Sequence, residues 1–529
     1  MKREIVLRLS PKDASDEIYY RPLVAKKLKV APEKLTYIKV VKRSIDARKK
    51  PVVVQLHIEA YANAKPPKPK EITFNYPDVS NGDEVIVVGA GPGGYFAALR
   101  LIELGMKPVV LERGKGVNER KKDLARLNRN VQVDTDSNYA FGEGGAGTFS
   151  DGKLYTRSTK RGDFNKVLEV FAYHGASDEI LIDAHPHIGT DKLPGVIKAM
   201  RQSIIDAGGK VLFDTRVTDL LVEEKEVIGV ETASGDKILA KAVILATGHS
   251  ARDVYYFLHD RAIQLEAKTW AMGVRVEHPQ ELIDEIQYHT PSGRGKYLPA
   301  ASYSLSCQIE ERGVYSFCMC PGGFIVPAMT DDNEMVVNGM SPSRRDSPFA
   351  NSGIVVEIRP EDIGEYKNKG VLGGLEFQKE LERLAFVNGG NGVIAPAQGL
   401  ADFVAGKLSF DLPDCSYVPG TVASPMHFWL PEHIGNRLQK GFAYFDKRAK
   451  GFVTNEALIL GVESRTSSPV RIPRDKFTFQ HVQISGLFPC GEGAGYAGGI
   501  ASSAIDGERC AEKAYEFITG KSLYENLTL

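Results

Sequence analysis

Three glycines, Gly89, Gly91 and Gly94, follow the continuous apolar run Glu84-Val85-Ile86-Val87-Val88 and lead into a helix expected at 95–104. A strand buried on both faces needs such a run. In the order strand, G-x-G-x-x-G, helix, the first glycine permits a tight turn, and the second lets backbone approach a pyrophosphate. The third lets the helix pack close on the strand. The N–H groups at the helix start are then free for phosphate. A second strand at 108–111 ends at Glu112, 23 residues after Gly89, where a carboxylate takes the ribose hydroxyls of an adenosine half. Together these features predict a dinucleotide site, without separating FAD from NAD.

Other residue types with chemistry are sparser. Cys318-Met319-Cys320 is the close-spaced pair among six cysteines. C-x-C lacks the paired C-x-x-C arms of a zinc or iron–sulfur site, so no metal is expected. The pair reads either as a redox couple or as ordinary buried thiols. Arg465 offers a planar fork for a substrate carboxylate or phosphate, or ties loops together. His427 is a candidate proton donor or a satisfied structural histidine.

The elements that must position these residues need several domains, since 529 residues exceed one ordinary core. Basic and acidic residues balance at 67 each, which argues against a surface built wholly for polyanions or membranes. Residues 1–78 depart from that balance, with 18 Lys and Arg against 9 Asp and Glu. This segment reads as a strand at 4–9, a helix at 15–28 and strands at 35–42 and 52–60 around the basic turn 42–50, an α+β unit like half of a ferredoxin-like fold. The turn reads first as a solvated hairpin. Contact with RNA, an acidic protein or the body itself is the other reading. The stretch Ala64-Lys65-Pro66-Pro67-Lys68-Pro69-Lys70 is an expected extended linker. Charges at Lys2, Arg3 and Glu4 replace the apolar core of a secretion signal, and no run reaches membrane-helix length, so a cytoplasmic, reducing setting is expected.

Three later segments carry a family resemblance. Four glycines in six residues, Gly142 to Gly147, leave backbone amides open beside a ligand. A strand at 209–217, strands at 227–232 and 242–245, and Ala246-Thr247-Gly248 follow. Near the end, Gly486-Leu487-Phe488-Pro489-Cys490-Gly491-Glu492 runs through Gly498-Gly499-Ile500 into a helix at 501–518. In this order they resemble FAD-dependent oxidoreductases with a glutathione-reductase-like FAD domain. The resemblance implies FAD contacts from Gly89, Gly91, Gly94, Glu112, Arg113, Gly145, Ala146, Gly147, Thr148, Val217, Gly248, Glu492, Gly499 and Ile500. Glu492 stands where the family more often has aspartate, and Tyr496 is placed beside the flavin edge.

Further blocks, at 42–50, 142–154, 248–253, 315–323 and 463–469, resemble a bacterial group of uncharacterised FAD-dependent dehydrogenases along nearly the whole chain. The implied fold class is α/β, a discontinuous Rossmann-type FAD-binding domain with an inserted α+β substrate domain. The implied bounds are 1–78 for the basic unit and linker, 79–270 and 456–529 for the FAD domain, and 271–455 for the insert, with strands expected at 313–319 and 323–328 and helical spacing through 414–448. No second strand–G-x-G-x-x-G–helix unit is present, so NAD(P)H is expected only as a transient co-substrate. The bacterial group carries no established reaction across; the leading expectation is an enzyme that transfers a hydride at flavin N5 of noncovalent FAD, with a small-molecule substrate and with Arg465, His427 and Tyr496 as catalytic candidates. A redox sensor whose basic unit contacts RNA or an acidic partner is the alternative.

Overall fold

The computed structural model describes residues 2–68, 71–129, 132–155, 162–291 and 293–523. In the N-terminal unit, strand Lys2–Leu9, helix Glu17–Leu28 and strands Leu35–Asp46 and Val53–Ala62 form an antiparallel sheet with the last strand in the centre. That central strand buries every second residue from Val54 to Ala62, the period of a half-covered sheet. The helix starts at Glu17 rather than at 15, because Asp16 caps it by accepting from Ile18 N at 3.0 Å. Residues 64–68 carry no regular structure, as the proline-rich linker predicts, while Pro69 and Lys70 lie outside the described residues.

The basic turn is partly docked. Arg43 grips Asp183 through two bonds, at 2.7 and 3.0 Å, and its backbone N donates to Ile182 O. Arg48 pairs instead with Asp46 inside the turn.

The body contains a parallel sheet in the order Leu487–Pro489, Val243–Leu245, Glu84–Val88, Lys107–Leu111, Lys210–Leu212. Apolar β-branched runs let these strands be covered on both sides. Helix Pro92–Glu103 packs against helix Ile500–Thr519 so closely that a Cβ at Gly507 would stand 2.0 Å from Gly93 O. The single strand expected at 209–217 is two. Asp214 N donates to Gly114 O and Thr215 N to Glu112 O, so the chain turns, and Val217 opens a separate antiparallel sheet with Glu226–Thr232 and Lys237–Leu239.

A seven-stranded sheet forms the middle, in the order Ser306–Ile309, Arg312–Cys320, Phe349–Ile358, Trp270–Pro279, Leu458–Glu463, Ala395–Gly399, Thr421–Ala423. Leu458–Glu463 pairs with Trp270–Pro279, which carries this sheet beyond residue 455, the expected bound. The helical spacing read through 414–448 breaks into strand Thr421–Ala423, the short helix Met426–Trp429 and helix Glu432–Arg448. Pro425 and Pro431 immediately precede the two helices, where a missing N–H costs nothing. Among the described residues no helix is long and apolar enough to cross a membrane.

Candidate functional site

One cavity collects the glycine segments. Gly89 turns at φ +105°, where a Cβ would stand 2.4 Å from Ala246 O. Gly91 caps helix Pro92–Glu103 without a side-chain bond, so the first amides of that helix have no capping acceptor. Gly145 faces it: a Cβ on Gly145 would lie 3.2 Å from Gly91 Cα. The C-terminal helix repeats the device. Gly499 is its N-cap, again without a side-chain bond, and neither Gly498 nor Gly499 has an atom within 4 Å of a built Cβ. Two uncapped helix starts therefore line the same cavity, together with Ala146, Gly147, Gly248 and Ile500. Such starts favour negative charge.

Glu112 also lines it, and its carboxylate accepts from Ala90 N at 2.8 Å and from Gly114 N and Gly142 N at 2.9 Å. A carboxylate has about four acceptor positions, so one remains for a ligand hydroxyl. Arg113 stacks 4.2 Å over the Phe141 ring and binds Asp136 and Asp253, while Val217 closes the wall nearby. Gly94 and Thr148 do not line the cavity. A Cβ on Gly94 would lie 1.9 Å from Gly89 O, so this glycine sets helix–strand contact. The buried Thr148 hydroxyl donates to Glu143 O at 2.8 Å and braces the loop from behind.

That loop has a support the sequence reading missed. Arg120 is fully buried and donates to the backbone carbonyls of Asn138, Tyr139 and Glu143 at 2.8–3.0 Å. Glu143 accepts from Tyr95 Oη, Val117 N and Arg201, and burial raises its carboxyl. An arginine on an amphipathic helix reads as solvent-facing, so no local signal pointed to it.

Glu492 lines the cavity, and His249, to which the sequence reading gave no role, stands 3.4 Å from it. Burial pushes Glu492 up to about 7. Burial, aided by Arg465, Lys268 and Arg252, pushes His249 down to about 4. Burial thus favours the uncharged form of both groups.

The three catalytic candidates fare differently. Arg465 reaches the wall, but its guanidinium is engaged by Glu382 at 3.0 and 3.1 Å, by Thr330 at 2.7 Å and by Glu334. His427 is not on the cavity wall; it follows Pro425 in the short helix Met426–Trp429, with Nδ1 2.8 Å from Gln398 Nε2. Tyr496 is not on the wall either, because its hydroxyl accepts from Arg474 N and its ring lies under the Arg474 guanidinium at 3.9 Å. Cys318 is exposed on the wall and Cys320 is buried behind it. Cys490, Asp506 and Cys510 cluster within 4.8 Å, but Arg474 binds both Asp506 oxygens, so the carboxylate already has its cation.

These residues fit FAD: amides at two helix starts, a path free of Cβ atoms, and a carboxylate with an acceptor position left beside Val217. The family described as pyridine nucleotide-disulphide oxidoreductase matches residues 83–256, and the C-terminal domain of FAD-dependent proteins matches 269–466. A domain of unknown function matches 1–61. An uncharacterised protein of Clostridium beijerinckii is 40% identical over 512 residues, covering 93% of this chain and 95% of its own. Dihydrolipoyl dehydrogenase of Mycobacterium tuberculosis is 33% identical over 120 residues, 19% of this chain and 26% of that enzyme. The solved flavin-dependent brominase Bmp2 is 12% identical at a TM-score of 0.36, covering 84% of this chain and 81% of its own. The chain belongs, with the C. beijerinckii protein, to one family of FAD-dependent oxidoreductases.

Proposed function

We propose that this oxidoreductase holds FAD noncovalently along the glycine-lined cavity and passes a hydride between a small-molecule substrate and flavin N5. The observation that carries the reading is the pairing of two uncapped helix N-termini, at Gly91 and Gly499, on one cavity. Gly89, Gly91 and the start of helix Pro92–Glu103 would hold the pyrophosphate, with Glu112 on the ribose and Val217 on the adenine. Gly145, Ala146, Gly147, Gly248 and Glu492 would hold the ribityl and flavin end, with Gly499 and Ile500 at its pyrimidine edge. Bound there, FAD supplies two-electron chemistry at N5, and the positive end of the C-terminal helix favours the charge of its reduced form.

The substrate meets the wall formed by His249, Phe317, Cys318, Asn338 and Arg465. His249 lies on that wall and His427 does not, so His249 is the histidine placed to meet the substrate. Arg465 shapes the wall through Glu334 and Glu382 and leaves substrate anions to other groups.

The test is the visible spectrum of the purified protein, flavin release by acid, and anaerobic titration with NADH and NADPH. A releasable flavin band supports the reading. Fast bleaching adds a transient nicotinamide site; a flavin that stays oxidised directs the search to substrate dehydrogenation. A protein that neither carries nor takes up flavin overturns the proposal.

A further inference from the structure

The strand Arg312–Cys320 carries the second chemistry on the cavity wall. It pairs in register with Phe349–Ile358 as far as Phe317 opposite Gly353, then resumes with Cys320 opposite Asn351. One extra residue is therefore inserted, a β-bulge, and bulges re-aim side chains beside functional sites. Cys318 occupies it at φ +48°, a left-handed conformation uncommon for a residue with a Cβ. The result turns Cys318 onto the cavity wall while Cys320 stays buried behind it.

The two cysteines are in direct contact, with Cys320 Sγ 3.2 Å from Cys318 O. Residues i and i+2 of a strand stand roughly 6.6 Å apart, already inside the Cα range that a disulfide spans. Two cations attend the pair. Arg275 Nη2 is 3.5 Å from Cys320 Sγ and 2.9 Å from Cys318 O, and Lys153 Nζ is 4.0 Å from Cys320 Sγ. Arg275 is locked by Glu463 at 2.8 Å and Asn351 at 2.9 Å, and Lys153 also donates to Met319 O. The Cys320 hydrogen bond, with Lys153 and Arg275 behind it, draws the Cys318 thiol below its ordinary range, and Cys320 is raised in return. Such surroundings mark reactive rather than inert cysteines.

We propose that Cys318 and Cys320 are a dithiol–disulfide pair that exchanges an electron pair with the flavin. This rests on the flavin occupying the glycine-lined cavity. In the reducing direction, the anionic reduced flavin gives an electron pair and a proton to the Cys318–Cys320 disulfide. The S–S bond breaks; one sulfur leaves as thiol with that proton, the other as thiolate, and the flavin returns to its oxidised form. The hydride donor of the proposed reaction supplies the electrons. Run backwards, the dithiol reduces the flavin and closes the S–S bond.

The experiment oxidises the flavin-loaded full-length protein with diamide, removes the reagent, and titrates anaerobically with dithionite. Flavin absorbance is followed, and parallel samples are alkylated and mapped by mass. Wild type is expected to take twice as many electrons per flavin as C318S, with Cys318 and Cys320 alkylated only after reduction. C307S, on the neighbouring strand, is expected to behave as wild type. Equal electron uptake by wild type and C318S, with both thiols alkylated in the oxidised sample, overturns the inference and leaves the flavin reading standing. The alkylation pattern of wild type reads the disulfide directly, so a C318S that fails to fold would not obscure the test. A preparation that cannot take up flavin overturns both.

Discussion

Arg252 and Arg465 close on one buried carboxylate: Glu382 accepts from Arg252 Nη2 at 2.8 Å and from Arg465 Nε and Nη2 at 3.1 and 3.0 Å. Arg252 opens the helix that follows the parallel-sheet strand Val243–Leu245, and Arg465 follows the middle-sheet strand Leu458–Glu463. Burial opposes ionisation of Glu382, but the two guanidiniums more than offset it and hold the carboxyl well below its usual range. Replacing Glu382 by Ala leaves Glu334 to balance both arginines. A loss of about 3–5 kcal/mol is expected from removing one partner of a buried ionic group, read as a fall in the unfolding midpoint, with Glu382→Gln losing less.

Gly94→Ala is expected to separate helix Pro92–Glu103 from the strand before it, since the new methyl would lie 1.9 Å from Gly89 O. Overpacking of this kind costs about 1–3 kcal/mol. Flavin retention after gel filtration should fall while the N-terminal unit keeps its secondary structure. A variant that holds flavin as wild type does would refute the packing role.

Glu112→Gln would present an amide NH2 to at least one of three backbone N–H groups now bonded to the carboxylate. A buried donor left unpaired costs about 1–3 kcal/mol. Weakening of FAD binding by roughly ten- to hundredfold is therefore expected, measurable by fluorescence quenching of free FAD titrated with apoprotein. Unchanged affinity would remove Glu112 from the site.

Glu277 is 1% exposed, and burial pushes its carboxyl up to about 7 against the opposing bonds from Ser416. The folded chain thus holds this proton more tightly than the unfolded chain, whose Glu titrates near 4.5. Its contribution to stability is complete below that value and is lost as pH rises towards about 7, by about 3 kcal/mol in all. Glu277→Gln has no such proton to lose. The midpoint difference between wild type and Glu277→Gln should move in favour of the variant from pH 4.5 to 8; a constant difference would count against the assignment.

The strand Glu84–Val88, the turn at Gly89 and the close pass at Gly94 were legible because each depends on residues a few positions apart. The same holds for the glycine run at 142–147 and for Gly498-Gly499 before the last helix, where the missing Cβ is itself the signal. Arg120, His249 and the Arg465 network were not legible, since each is defined by partners far along the chain. His427 and Tyr496 lie off the cavity wall for the same reason, with His427 Nδ1 against Gln398 and the Tyr496 hydroxyl accepting from Arg474 N.

By itself the sequence determined the glycine-lined path proposed for FAD, because apolar runs, absent side chains and uncapped helix starts are local properties of the chain. Only the tertiary structure decided what stands around that path. Cys318, Lys153 and Arg275 come from three separated segments, and Glu382 reaches Arg252 and Arg465 across 130 and 83 positions. Contacts at such separations depend on how the two sheets pack, which no local pattern of residues encodes.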